Sequence, residues 1–141
     1  MRLAVLDTNI IVSAGIRPEG APAKLVMDWV LDGQVQLVTS PLIVEEYRAI
    51  VKRPKFSRFG FPPLWLDFLI EESMHLPDPK RWPHAGPDPH DMPFLALAHS
   101  AGAWLVTGNL RHFPEEIREG VRVLSPADYL AHLNKGANPR R

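Results

Sequence analysis

Cysteine is absent from this 141-residue chain. Its absence excludes disulfides, cysteine-ligated zinc, iron–sulfur clusters and thiol catalysis together, and fits a reducing compartment. An excess of either charge is missing too: sixteen Lys and Arg balance sixteen Asp and Glu. Without a basic coat, a polyanionic partner would have to be held by local patches or through bound cations. No run of about eighteen apolar residues is there to span a bilayer. The opening stretch Met1–Ile16 is apolar, but Asp7 and Asn9 interrupt it and no small-residue cleavage site follows, so it does not read as a secretion signal. A cytoplasmic protein is expected, with no membrane partner. Internal repeats are lacking as well. The reading is one domain over residues 1–135, followed by a flexible tail over 136–141.

Proline is in surplus: fifteen, about twice the usual share. Six fall between Pro77 and Pro93, in PDPKRWPHAGPDPHDMP, so that segment reads as a long surface loop. Elsewhere strands and helices alternate. Arg2–Leu6 is an apolar run ending in the polar turn Asp7-Thr8-Asn9. Pro22–Leu31 has helical spacing and stops at Gly33, and Val35–Thr39 is a second strand. Ser40 caps a helix with Pro41 in first position, running to about Lys52. Another helix is expected from about Pro63 to Met74. Asp88 caps a helix from Pro89 to Ala101, with Gly102 as its stop. Trp104–Thr107 and Val121–Leu124 are the third and fourth strands, and Ser125-Pro126 opens a last helix. Such alternation predicts an α/β fold, a central parallel sheet sandwiched by helices, with ligands outside the carboxyl ends of the strands.

Three acids sit at unusual places. Asp7 follows the first strand directly. At about 100° per residue, Glu46 falls within the broad apolar face of Leu42, Ile43, Tyr47, Ala49 and Ile50, while Glu45 lies opposite with Arg48 and Lys52. Asp91 points along the face of Phe94, Leu95, Leu97, Ala98 and Ala101. A carboxylate on a buried stripe costs several kcal/mol unless paired or coordinated. Each acid has a blander reading: Asp7 caps a turn, Asp91 complements a helix dipole, Glu46 meets a buried Arg, and Asp88 is an N-cap. Together they suit a hard divalent metal, Mg²⁺ or Mn²⁺, which takes oxygen ligands and accepts phosphate oxygens. The six histidines show no ligand-like spacing and carry no assigned role.

LAVLDTNIIVSA, SPLIVEEYRAIVKRPKF and DMPFLALAHSAGAWLVTGN together resemble a PIN domain, over about residues 2–130. The nearest branch is that of toxin–antitoxin toxins, the VapC-like ribonucleases. The resemblance implies a three-layer α/β/α sandwich and a Mg²⁺- or Mn²⁺-dependent endoribonuclease of single-stranded or structured RNA, the toxin of a type II toxin–antitoxin system. Asp7, Glu46 and Asp91 match the family's metal-holding acids, and Thr8 and Asn9 match residues that support the first. A fourth acid is frequent after the third strand, but here the turn is Thr107-Gly108-Asn109. Asn109 can offer a carbonyl oxygen or orient water, so it joins the expected catalytic set with one negative charge fewer. Three carboxylates suit one tightly held ion, a second arriving with substrate phosphate. Ser40 would orient water or phosphate, and Asp88 would help through water.

RNA contacts are expected from Lys52, Arg53 and Lys55, interleaved with Phe56, and from Arg111 beside Asn109. The surplus apolar residues of Leu64–Ile70 suggest a homodimer interface or an antitoxin groove. Two other readings stay open. One is a weakened PIN scaffold that binds RNA or a protein without cutting. The other is a haloacid-dehalogenase-type phosphatase with Asp7 as nucleophile, although Asn9 stands where that family has a second Asp.

Overall fold

The computed structural model describes residues 2–136. At its centre lies β1 (Arg2–Leu6), whose Ala4, Val5 and Leu6 are wholly buried, as a parallel strand covered on both faces requires. β2 (Val35–Thr39) pairs on one side of it and β4 (Trp104–Val106) on the other. β3 (Met74–His75) and β5 (Val123–Leu124) form the edges. The order is β3-β2-β1-β4-β5, every pair parallel, with helices on both sides. The chain winds outward from β1 to β3 and then crosses back to β4. The carboxyl ends of β1 and β4 therefore flank the point where the order reverses, where open α/β sheets form a ligand crevice.

The expected turn after β1 is instead the start of a helix, α1 (Thr8–Ile16), with Asp7 at its N-cap. Its β-branched run and Gly15 make poor helix formers. Burial of Ile10, Ile11 and Ala14 compensates, which is a tertiary effect. α2 (Ala21–Lys24) passes into a π-helical segment, Leu25–Val30, and Gly33 closes the segment at φ 83°. α3 (Pro41–Val51) begins and ends as expected. Its buried residues are Ile43, Tyr47 and Val51, so Leu42 (46% exposed) and Ala49 lie outside the face expected for them. Arg48 pairs with Asp67 rather than with Glu45.

α4 (Trp65–Glu71) is shorter than the 63–74 expected. Met74 and His75 pair with Val38 and Thr39 instead, and the Leu76 N–H reaches Thr39 O at 2.9 Å. An edge strand of two residues carries too little pattern to be read from sequence. A 3₁₀ turn (Pro89–Asp91) leads into α5 (Met92–Ala101), which stops at Gly102, φ 66°. Residues 76–88 contain no helix or strand, in line with the expected loop. α6 (Pro126–Gly136) starts with Ser125 Oγ accepting the Asp128 N–H at 3.1 Å. Gly136 belongs to this helix rather than to a tail, and the rest of the expected tail lies outside the described residues. Among these residues no helix is long and apolar enough to cross a membrane.

Candidate metal centre

Asp7 continues β1, its N–H bonded to Val106 O of β4 at 3.0 Å, and is only 5% exposed. Its side chain makes no cap bond to α1. Oδ2 instead accepts the hydroxyl of Thr107, a buried residue at the end of β4, at 2.7 Å. Thr107 Oγ1 in turn accepts the Asn109 N–H at 3.0 Å. One threonine thus fixes the first acid and shapes the turn after β4. Asn109 itself is exposed, and among the described residues its side chain makes no hydrogen bond. Asn9 Oδ1 accepts the Gly108 N–H at 3.4 Å, linking α1 to the same turn.

Glu46 reaches the crevice from the middle of α3, half-buried, and accepts the Thr8 hydroxyl at 2.5 Å. Its neighbour Tyr47 is wholly buried and donates its hydroxyl to Leu6 O at 2.5 Å. That bond ties α3 to the end of β1 and so sets where Glu46 stands relative to Asp7. Asp91 sits at the N-cap of α5 rather than in third helical position. Asp88 caps the preceding turn by accepting the His90 N–H at 2.9 Å. Asp91 Oδ2 bonds His112 Nδ1 at 2.6 Å. Among the described residues, Asp88, Asp91 and His112 each place one ligand atom within 4.8 Å of the others. Asp7 and Glu46 stand outside that trio.

Electrostatics couples all of these groups. Burial raises the Asp7 carboxyl, and the Thr107 hydroxyl and the amides of Thr8 and Asn9 work against the rise. Burial raises Glu46 too, and the charge of Asp7 adds to it. Asp91 is pushed up to about 6, by burial first and then by Asp7. The histidines His90 and His112 oppose the rise in these acids, and no Lys or Arg is paired with them among the described residues. A crevice holding this much uncompensated negative potential, with carboxylate oxygens and one imidazole as donors, fits a divalent cation.

Ser40 is buried at the N-cap of α3 without a side-chain cap bond. Arg111 is exposed in the turn Leu110–His112, one residue from the Asp91 partner. Lys52, Arg53 and Lys55 are exposed but sit past the far end of α3, where about 9 Å of helix rise already separates Glu46 from Lys52. Phe56 is occupied there, tilted on Phe61 at 5.4 Å with Lys55 over its ring at 5.1 Å. The basic stretch therefore begins between one and two turns of α3 beyond Glu46. Sequence reasoning noted that His112 lies near the acids in the chain but gave it no role, and gave none to the Thr107 and Tyr47 hydroxyls. His112 is 21 residues from Asp91, and no local spacing announces such a pair. Thr107 carried a signal: a threonine where a buried strand ends must find a partner for its hydroxyl.

A PIN domain family model matches residues 3–111. No curated protein sequence matches the chain. Among solved structures, VapBC2 from Rickettsia felis, bound to a DNA fragment from its promoter, aligns with TM-score 0.58 and 17% identity, covering 86% of this chain and 96% of that one. DNA-bound VapBC from Salmonella typhimurium aligns with TM-score 0.58 and 21% identity, covering 89% and 99%. FitAcB from Neisseria gonorrhoeae aligns with TM-score 0.53 and 19% identity, covering 88% and 98%. At these identities the likeness is one of fold.

Proposed function

The chain belongs to the PIN-domain family, and from that premise we propose that it is a metal-dependent endoribonuclease, the toxin of a type II toxin–antitoxin pair. PIN domains are nucleases that use divalent metal. One observation carries the reading to this chain: acids from three separate parts of the chain, Asp7, Glu46 and the pair Asp88 and Asp91, come close enough at the reversal of strand order to act on one another's charge, and among the described residues no Lys or Arg is paired with them. The antitoxin partner is supported by the resemblance of the fold to proteins solved as VapBC and FitAcB.

Asp7, Glu46 and Asp91 would hold Mg²⁺ or Mn²⁺, with Asp88 and His112 beside Asp91. A divalent ion there supplies Lewis-acid polarisation of a phosphoryl oxygen and activates water. The chain's own work is positioning. Thr107 holds the Asp7 carboxylate in one orientation and Thr8 does the same for Glu46. His112 orients Asp91, and Arg111 stands ready for a substrate phosphate. Asn109, exposed and neutral, would orient water rather than add charge. Its neutrality also supports a second reading, a PIN scaffold that binds RNA without cutting.

Cleavage of a mixed single-stranded RNA pool, with Mg²⁺ or Mn²⁺ and with Asp91→Asn in parallel, separates the two. The ribonuclease reading expects cutting that requires metal and falls at least a hundredfold in the variant. No cutting by folded protein at any metal concentration moves the assignment to the scaffold.

A further inference from the structure

Beside the acids lies a groove of about 830 Å³, within the size range of ligand sites. One wall is the segment Asp78–Ala85, and the other is made by Ser40 and Leu42 of the α3 start and by Pro89, Met92 and Ala96. None of the four acids lines it, but Leu42 on its wall stands one turn before Glu46 on the same side of α3, which puts that end of the groove next to the crevice. Its floor is largely apolar. Lys80 and Arg81 stand exposed on its rim, and neither has an acidic partner among the described residues.

The segment carrying these cations is pinned on both sides. Asp78 Oδ1 accepts the Leu42 N–H at 3.0 Å, which commits that carboxylate to the start of α3. Trp82 donates its indole N–H to Ile117 O at 2.8 Å and meets His99 edge-on at 5.3 Å. His84 bonds Glu119. At Gly86 an added Cβ would lie 2.5 Å from the flexible end of Met92, so the loop passes close against the first turn of α5. Two cations without an acidic partner among the described residues are thus held over an apolar floor between the starts of α3 and α5.

We propose that this groove binds the nucleotides of a single-stranded RNA that flank the scissile bond, Lys80 and Arg81 meeting phosphates and the apolar floor receiving a base. The proposal rests on the ribonuclease reading and adds to it the path of the strand. A phosphodiester strand leaving the acids meets cations next, whereas a cationic peptide would be repelled by them.

The test is binding of a mixed-sequence 20-nucleotide single-stranded RNA in Ca²⁺, across a NaCl series, by wild type and by Lys80→Ala/Arg81→Ala. Losing two phosphate contacts should weaken Kd at least tenfold at low salt and flatten the log Kd against log salt slope by about 1.4. Melting temperature and Mn²⁺ binding should stay unchanged, which separates a lost contact from a damaged fold. If wild type cuts RNA while the variant binds it with the same affinity and slope, the groove assignment falls and the nuclease stands. Loss of binding on substituting Lys52, Arg53 and Lys55 instead would put the strand at the far end of α3 and overturn the groove. A wild type that neither binds nor cuts RNA overturns both readings.

Discussion

Asp91 keeps its proton up to about pH 6 in the folded chain, whereas an exposed aspartate loses it near 3.8. Burial is the main cause, with Asp7 and Asp88 adding to it and His112 opposing. As pH rises from about 4 to 6 the unfolded state releases this proton first. Stability of the metal-free protein should therefore fall through that window and level off above it. Asp7 and Glu46, also raised, push the same way. Asp91→Asn removes the burden, and in chelator at pH 7 it should be more stable than wild type by about 1–3 kcal/mol, the gap closing toward pH 4. Urea unfolding at the two pH values measures this; a variant equal to or weaker than wild type at pH 7 contradicts it. The acids are thus a cost to the fold that a bound cation would relieve.

Helix α1 shows how an element the sequence describes poorly is held by its neighbours. Its Gly15 faces Phe61, and a Cβ there would lie 2.6 Å from Phe61 Cζ. Because Phe61 is itself packed on Phe56, it has little room to yield. Gly15→Ala should cost about 1–3 kcal/mol despite the better helix propensity of alanine. In a Phe61→Leu background the same change should cost clearly less, and a double-mutant cycle by thermal or urea unfolding gives the coupling. Equal costs in the two backgrounds would mean that the contact does not limit the helix. The distance matters for the site as well, since Thr8 and Asp7 stand at the other end of α1.

For the whole molecule, the surplus apolar residues of 64–70 divide in two. Leu66, Leu69 and Ile70 enter the core, while Leu64 is 99% exposed and Phe68 54%. The expected homodimer would use this second set. Leu64→Lys/Phe68→Lys should halve the mass seen by light scattering at micromolar concentration without lowering the melting temperature of the protomer. A wild type that is already monomeric would leave the pair to an antitoxin surface, and the homodimer would be abandoned.

Sequence by itself determined the α/β alternation, the β1, β2 and β4 strands, the starts of α3 and α6, the stop of α5 at Gly102, and three acids standing out against apolar surroundings. Each of these is local: period, punctuation by Gly and Pro, and charge where an apolar face is expected. The tertiary structure decided what depends on distant contacts. It turned the DTN turn into the start of α1 through burial of Ile10 and Ile11. It formed β3 from two residues by pairing with β2. It set His112 on Asp91 and Thr107 on Asp7, across 21 and 100 residues of chain. It also put Lys80 and Arg81 on the rim of a groove beside the start of α3, while Lys52, Arg53 and Lys55 follow that helix's far end. Side-chain chemistry could be read from the letters, but which groups meet was fixed only when the parallel sheet brought the ends of β1 and β4 together.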